Sequence, residues 1–239
     1  AMYGSPYEWY EQYGIRRMGY HGASHGYIAD VLNREQKTYA AISCHLGGSA
    51  SICAIDSGKS VDTSFGMSLE TGLIHANRVG DLDPTMVLFL KQQGLSDEEI
   101  KEGLQKKGGL LGISGVSNDL RYVLEAAEAG NERAKLAVDV FVNGIVHYIG
   151  AFYPDLGRLD YLVFTAGIGE NNNDLRTRVM DGMEFLGAEL DPEKNAGRGE
   201  MVISKDGSKV TVCVIPTNEE IMIARDTLDL VTTGKVRDN

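Results

Sequence analysis

The sequence predicts a mixed α/β fold, and three observations carry that prediction. Short β-rich runs separated by glycine and serine turns fill residues 38–64. Amphipathic helical segments follow Pro84, and single strands return after the longest of them.

The chain of 239 residues opens in aromatic sequence, YGSPYEWYEQYG, which holds its only tryptophan. It has no obvious leader, so a piece of a longer chain is expected. HGASHGYIADVLN, residues 21–33, places Ile28, Val31 and Leu32 at helical spacing. TYAAISCHL, SASICAID and KSVDTS read as a meander of three strands joined by Gly-Gly-Ser and Ser-Gly turns. PTMVLFLKQQG begins with a proline, which a first helical turn tolerates, and ends on glycine. In SDEEIKEGLQKKG, Ser96 precedes Glu99 by three residues, the spacing of a capping box. NDLRYVLEAAEAG follows.

From about Asn131 to Tyr153, the residues Ala134, Val138, Phe141, Ile145, Ile149 and Phe152 form one apolar stripe. LDYLVFT then reads as a strand, AGIGENN as a glycine loop, and the residues from Asp174 to Met180 as a short helix. Two strands near MVISK and VTVCVIP precede a last helix after Thr217, where Thr217 and Glu220 have capping-box spacing. No repeat, low-complexity tract or Pro/Ser linker marks a boundary, and the length suits one large domain or two small ones.

Composition excludes several functions. A net charge of −11 disfavours nonspecific binding to nucleic acid or anionic membrane, whose phosphates attract excess Lys and Arg. No apolar run approaches the roughly 20 residues of a membrane span. The three cysteines, Cys44, Cys53 and Cys213, form no CxxC pair and lie in strand-like flanks, so a reducing cytoplasm is expected.

Five features carry chemistry. In YGIRRMGYHGASH, His21 and His25 lie four apart after two arginines, a spacing open to a metal site or a phosphate site. In SCHLGGSAS, glycine N–H groups can close on a phosphate, with donors from His45 and Ser49; an ordinary hairpin turn has the same pattern. FTAGIGENN lies at a strand's carboxyl end, where nucleotides gather, although GxGxxG is absent. The long run VDTSFGMSLETGLIHANRVGDLDP carries one arginine, Arg78, whose fork suits phosphate or carboxylate, or a surface salt bridge. In PTNEEIMIARDTLDL, Glu219 is left over from the cap and can either hold Mg²⁺ through water or complement the helix dipole.

Taken together, PYEWYEQYGIRRMGYHGASH, CHLGGSAS, GKSVDTSFG, NRVGDLDP, SGVSNDLR, FTAGIGENN and PTNEEIMIARDT resemble, in order, the acetokinase family of acetate, propionate and butyrate kinases. The resemblance implies an actin-like ATPase (ribonuclease H-like) lobe of the sugar kinase, Hsp70 and actin superfamily, with residues 1–239 forming the C-terminal lobe and an N-terminal lobe lying upstream. It implies phosphorylation of a short-chain carboxylate by ATP to an acyl phosphate, the reverse transfer to ADP, Mg²⁺, and a homodimer.

By the same resemblance His21 stabilises the transferring phosphoryl group and Arg78 closes on it. His45, Leu46, Gly47, Gly48 and Ser49 touch the β- and γ-phosphates. Asp119, Leu120 and Arg121 lie around the nucleoside, as do Gly167, Ile168, Gly169, Glu170 and Asn171, and Glu219 helps hold Mg²⁺. Zinc is disfavoured, because HGASH lacks the glutamate of HExxH.

The chain departs from the family at several places. HLGGS replaces the usual HLGNG, Tyr20 stands for a phenylalanine, Leu69 for a proline, and His75-Ala76-Asn77 for Met-Gly-Thr. Tyr20 and Leu69 match residues of the acyl pocket, so an acid other than acetate is expected. Two other classes fit less of the pattern: a nucleotide-binding or regulatory module that has lost catalysis, and a dimerisation module.

Overall fold

Helix α1 (Tyr7–Tyr13) and helix α2 (Gly22–Glu35) precede the strand meander β1 (Ala40–Leu46), β2 (Ala50–Asp56) and β3 (Lys59–Thr63). Helices α3 (Thr85–Gln92), α4 (Asp97–Gln105), α5 (Gly109–Ser114), α6 (Leu120–Glu128) and α7 (Glu132–Leu156) come next. Strand β4 (Tyr161–Thr165) then runs into α8 (Ala166–Asn171) and α9 (Asn173–Met180). A 3-10 turn, α10 (Pro192–Asn195), β5 (Met201–Val202), β6 (Thr211–Val214) and α11 (Glu219–Thr233) complete the chain. This computed structural model describes residues 2–235.

The strands form one mixed sheet in the order β3-β2-β1-β4-β6-β5. β1, β4 and β6 are parallel, while β3 and β5 pair antiparallel to their neighbours. Only three residues join β1 to β2, too few for a crossover, so that pair is a hairpin. Every residue of β1 is buried, as a strand covered on both faces should be. Cys44, Cys53 and Cys213 are buried free thiols in these strands, and burial pushes Cys53 up to about 11 and Cys213 to about 12.

The chain divides into two compact units. One holds the residues up to Tyr20, Gly47–Ser51 and Ser64–His147, and it carries α3 to α6. The other holds His21–Leu46, Ile52–Thr63 and the chain from Tyr148 onward, with most of the sheet. Its core gathers Ile28, Leu32, Tyr39, Ala41, Ile55 and Val163. Two of the borders fall inside β2 and α7. A border inside a regular element leaves no linker composition to read.

α4 begins with the expected capping box: Ser96 accepts from the Glu99 N–H, and the Glu99 carboxylate accepts from the Ser96 N–H at 2.8 Å. Helix α7 buries Ala134, Val138, Phe141, Ile145, Ile149 and Phe152, the predicted stripe. With 25 residues and a window of mean hydropathy 1.4, α7 is long and apolar enough to cross a bilayer, contrary to the expectation that no run approaches that length. Its stripe is nevertheless spent on the protein interior.

Three further expectations are corrected. AGIGENN is a helix, not a glycine loop, and Ala166 at φ 63° makes the left-handed step directly after β4. Asn218, not Thr217, caps α11, its side chain accepting from the Ile221 N–H at 3.0 Å. The reason is an offset of one residue: α11 begins at Glu219, and the Thr217 N–H is taken by Glu170. The third concerns additions, since α1, α5, the 3-10 turn and the short α10 are not foreseen.

The cap assignment gives a clear outcome. Asn218→Ala should lower unfolding free energy by about 1 kcal/mol in urea titrations. Thr217→Ala, which deletes a buried hydroxyl without a hydrogen-bond partner, should cost less. The reverse order would restore Thr217 as the cap.

Candidate active site

His21 immediately precedes α2 with φ 59°, a left-handed conformation that costs a non-glycine residue about 1–2 kcal/mol. The first turn of the helix holds it there, because the His25 N–H donates to the His21 carbonyl at 2.9 Å. The His21 ring stacks on His45, centroids 3.8 Å apart and planes 23° from parallel. His45 is the penultimate residue of β1, and its Nδ1 meets Ser24 Oγ at 2.7 Å. His25 Nδ1 in turn meets Ser43 Oγ at 3.0 Å. Each bond joins a residue of α2 to one of β1, and Ser24 and Ser43 are wholly buried.

Burial, then the nearby His21, pushes His45 down to about 3. Burial, then His45 and His21, holds His25 well below the ordinary imidazole range. Both rings are therefore neutral at physiological pH. His25, bonded to Ser43, faces β1 rather than joining His21 as a ligand pair. Among the described residues no group of three or more His, Cys, Asp and Glu side chains is placed to hold a metal.

In the other unit the hairpin tip Gly47-Gly48-Ser49 meets the long loop. Ala76 N–H donates to the Gly48 carbonyl at 2.9 Å, Ala50 N–H donates to His75 Nδ1 at 3.1 Å, and Arg78 Nη2 donates to Ser49 Oγ at 2.6 Å. His75 is buried and stacks on Phe65 at 5.3 Å. Desolvation lowers the Arg78 pKa, with Glu70 acting in the opposite direction, but a guanidinium stays charged. Arg78 thus spends one donor on Ser49 and forms no ion pair among the described residues.

The unforeseen helix α5 clamps this loop from beneath. Gly108, Leu110 and Leu111 N–H groups donate to the carbonyls of Asn77, His75 and Ala76 at 2.9–3.1 Å. Gly109 makes the approach possible: at φ +60° it has no side chain, and a Cβ there would lie 2.1 Å from the His75 oxygen and 2.7 Å from the Arg78 oxygen.

The remaining residues are placed as follows. Asp119 caps α6, accepting from the Arg121 N–H at 3.0 Å, and it pairs with the exposed Arg121 guanidinium. The side chains of Leu120 and Leu46 are buried. Tyr20 packs edge-on against Phe65, and its hydroxyl donates to the Met67 carbonyl at 2.8 Å. That hydroxyl therefore already has a hydrogen-bond partner within the chain. Leu69 is 39% exposed.

On α8, Asn171 Nδ2 donates to the Gly167 carbonyl at 2.9 Å, beside Ile168 and Gly169, and Glu170 Oε1 accepts from the Thr217 N–H at 3.2 Å. This contact joins the AGIGENN and PTNEE segments. Glu219, the first residue of α11, is half-buried, and its carboxylate makes no hydrogen bond or ion pair among the described residues. Sequence reasoning missed Ser24, Ser43 and Arg176, and it named His75 only as a departure from the family pattern. The only available signal was a serine close before each of His25 and His45.

The parallel β1-β4-β6 core with β2 and β3 added beside it defines a chain of the actin-like ATPase class. The sequence profile described as the acetokinase family matches residues 1–225. The acetate kinase of Dictyoglomus thermophilum is 52% identical over 236 residues, 96% of this chain and 59% of that protein. The acetate kinase of Treponema denticola is 49% identical over 96% of this chain and 59% of its own length. Among solved structures, Porphyromonas gingivalis acetate kinase matches with a TM-score of 0.90 and 44% identity over 96% of this chain and 59% of that one. A propionate kinase from Francisella tularensis matches at 0.88 and 38%, over 94% and 59%. The chain belongs to the acetokinase family, and it spans about three fifths of the length of these relatives.

Two outcomes follow from the geometry. Between about pH 3 and 6.5 the unfolded chain binds protons at position 45 that the folded chain refuses, so stability is full above about pH 6.5 and falls as pH drops. His45→Gln should shrink the stability difference between pH 7.5 and 5 by about 2 kcal/mol in urea titrations; an unchanged difference would show that His45 protonates freely in the fold. Gly109→Ala should displace the Arg78 loop and cost about 2 kcal/mol or more, read as a loss of melting temperature.

Proposed function

We propose that this chain is the C-terminal, nucleotide-binding and catalytic lobe of an acetate kinase-like phosphotransferase. It moves the γ-phosphoryl group of ATP to a short-chain carboxylate, or from the acyl phosphate to ADP. The observation that carries this reading is His21, held in a left-handed conformation at the first turn of α2 against a neutral His45. Fixed donors aimed at developing charge are what phosphoryl transfer requires, since it needs little covalent help from the protein.

In the forward step a carboxylate oxygen forms a bond to the γ-phosphorus, the bond to the β,γ-bridging oxygen breaks, and ADP leaves with that electron pair. No proton need move. His21 and Arg78 stabilise charge on the transferring group, and Arg78 is pre-oriented by its bond to Ser49. His45, Leu46, Gly47, Gly48 and Ser49 bound the phosphates. Asp119, Leu120 and Arg121 border the nucleoside together with Gly167, Ile168, Gly169, Glu170 and Asn171. The buried Leu46 and Leu120 act through backbone only. Tyr20 and Leu69 face the acyl end.

Glu219 would hold Mg²⁺ through water, and the ion when bound neutralises phosphate charge. The coverage of three fifths supports the need for an upstream lobe. The exposed Met86, Leu88 and Phe89 on α3 support a homodimer, and the buried free thiols suit a cytoplasmic location. The HLGGS loop keeps a working contact to Arg78, so no observation favours a module that has lost catalysis.

The test is expression of the full reading frame and hydroxylamine trapping of acyl phosphate across a panel of short-chain acids with ATP and Mg²⁺. Turnover on at least one acid is expected, and His21→Ala or Arg78→Ala should cut kcat by about 10²-fold or more without changing assembly mass. The 239-residue chain alone should turn over little. No turnover on any acid by the full-length protein would overturn the proposal.

A further inference from the structure

Helix α9 contains a buried cation that the proposed chemistry does not use. Arg176 is 1% exposed, and no carboxylate pairs with it among the described residues. Its guanidinium is instead satisfied by carbonyl oxygens and an amide. Nη1 donates to the carbonyls of Gly169 and Glu170 at 2.8 and 2.9 Å, Nη2 to the Asn195 carbonyl at 2.8 Å, and Nε to Asn195 Oδ1 at 2.7 Å. Asn195, itself 3% exposed, passes the tie back to α9 through Nδ2, which donates to the Asn173 carbonyl and to Thr177 Oγ1, both at 3.0 Å.

Burying a guanidinium without a counter-ion is costly, and burial lowers its pKa. What it receives in exchange is the carboxyl end of α8, where carbonyls lack helical partners and carry partial negative charge. The two carbonyls it clamps belong to Gly169 and Glu170. The carboxylate of that same Glu170 accepts the Thr217 N–H, two residues before Glu219. One fork therefore fixes α8 directly and the start of α11 through one further bond.

We propose that Arg176 is a positioning residue for the nucleotide and Mg²⁺ end of the site, setting α8 by its fork and Glu219 through Glu170 and Thr217. This rests on the phosphotransferase reading for what is positioned, but not for the clamp itself. Only arginine meets the geometry. A lysine nitrogen is a single point and cannot span the α8 carbonyls and both Asn195 acceptors at once.

The experiment is Arg176→Lys in the full-length protein, read by steady-state kinetics and by amide hydrogen exchange. KM for ATP should rise about tenfold and the Mg²⁺ concentration for half-maximal rate should rise with it, while KM for the carboxylate changes less than about twofold. Amides of α8 and Thr217 should exchange about tenfold faster. A merely structural role would lower melting temperature and active fraction with KM for ATP unchanged, and that result overturns the proposal. Should the variant fail to fold, Asn195→Ala removes the Oδ1 acceptor of Arg176 and the two Nδ2 bonds to α9 but keeps the three carbonyl acceptors of the fork, and it is expected to give about threefold shifts in the same direction; unchanged Thr217 exchange there overturns it equally. A wild-type protein without ATP-dependent transfer would sink the phosphotransferase reading, while exchange in the variants would still decide the clamp.

Discussion

The paired hydrogen bonds of Ser24 with His45 and of His25 with Ser43 are the constraint on which the most distinctive part of the fold depends. A helix start and a strand end joined by a single bond can pivot, whereas two bonds fix both separation and rotation. Because all four side chains are buried, breaking either bond leaves a polar atom unsatisfied at a cost of about 1–3 kcal/mol. That penalty is comparable with the strain of holding His21 at positive φ, so the network can keep a non-glycine residue where it would not otherwise stay. Neutrality of His25 and His45 follows from the same burial, and it lets these two rings lie beside His21 without repelling one another.

The second unit solves a similar problem with backbone rather than side chains. The Arg78 loop has no regular structure of its own, and its carbonyls at His75, Ala76 and Asn77 need donors. Helix α5 supplies them from N–H groups at its start, which have no helical partners. Both units therefore use the first turn of a helix to organise an irregular segment. In one case the helix presents its own preceding residue, and in the other it braces a neighbouring loop.

The sequence showed the fold class, the strand meander, the capping box of α4 and the buried stripe of α7 because each is a periodic or short-range pattern. Helix α5 escaped notice because GLLGIS has two glycines and no polar face, so its stability comes from the loop carbonyls it meets. AGIGENN was read as a loop for the same reason: glycines suggest turns, but here Gly169 packs close to the backbone of Phe164 and Cys44 inside a helix. The Thr217–Glu220 spacing was equally good as a pattern, yet the cap went to Asn218 once Glu170 claimed the Thr217 amide. Candidate residues were legible as motifs. Their partners were not, since Ser43 and His25 are 18 residues apart and Arg176 and Asn195 are 19 apart.

The charge distribution adds one last consequence. A chain with net charge −11 repels an anionic nucleotide at long range, so any affinity must arise from groups that act at contact distance. Of the candidate residues, His45 is held neutral and Arg78 is partly desolvated. Such groups exert little field in bulk water but a strong one in a drier setting, where the effective dielectric is lower. Donors of this kind discriminate by geometry more than by charge. A site built from them favours a ligand whose oxygens match fixed positions over anions in general.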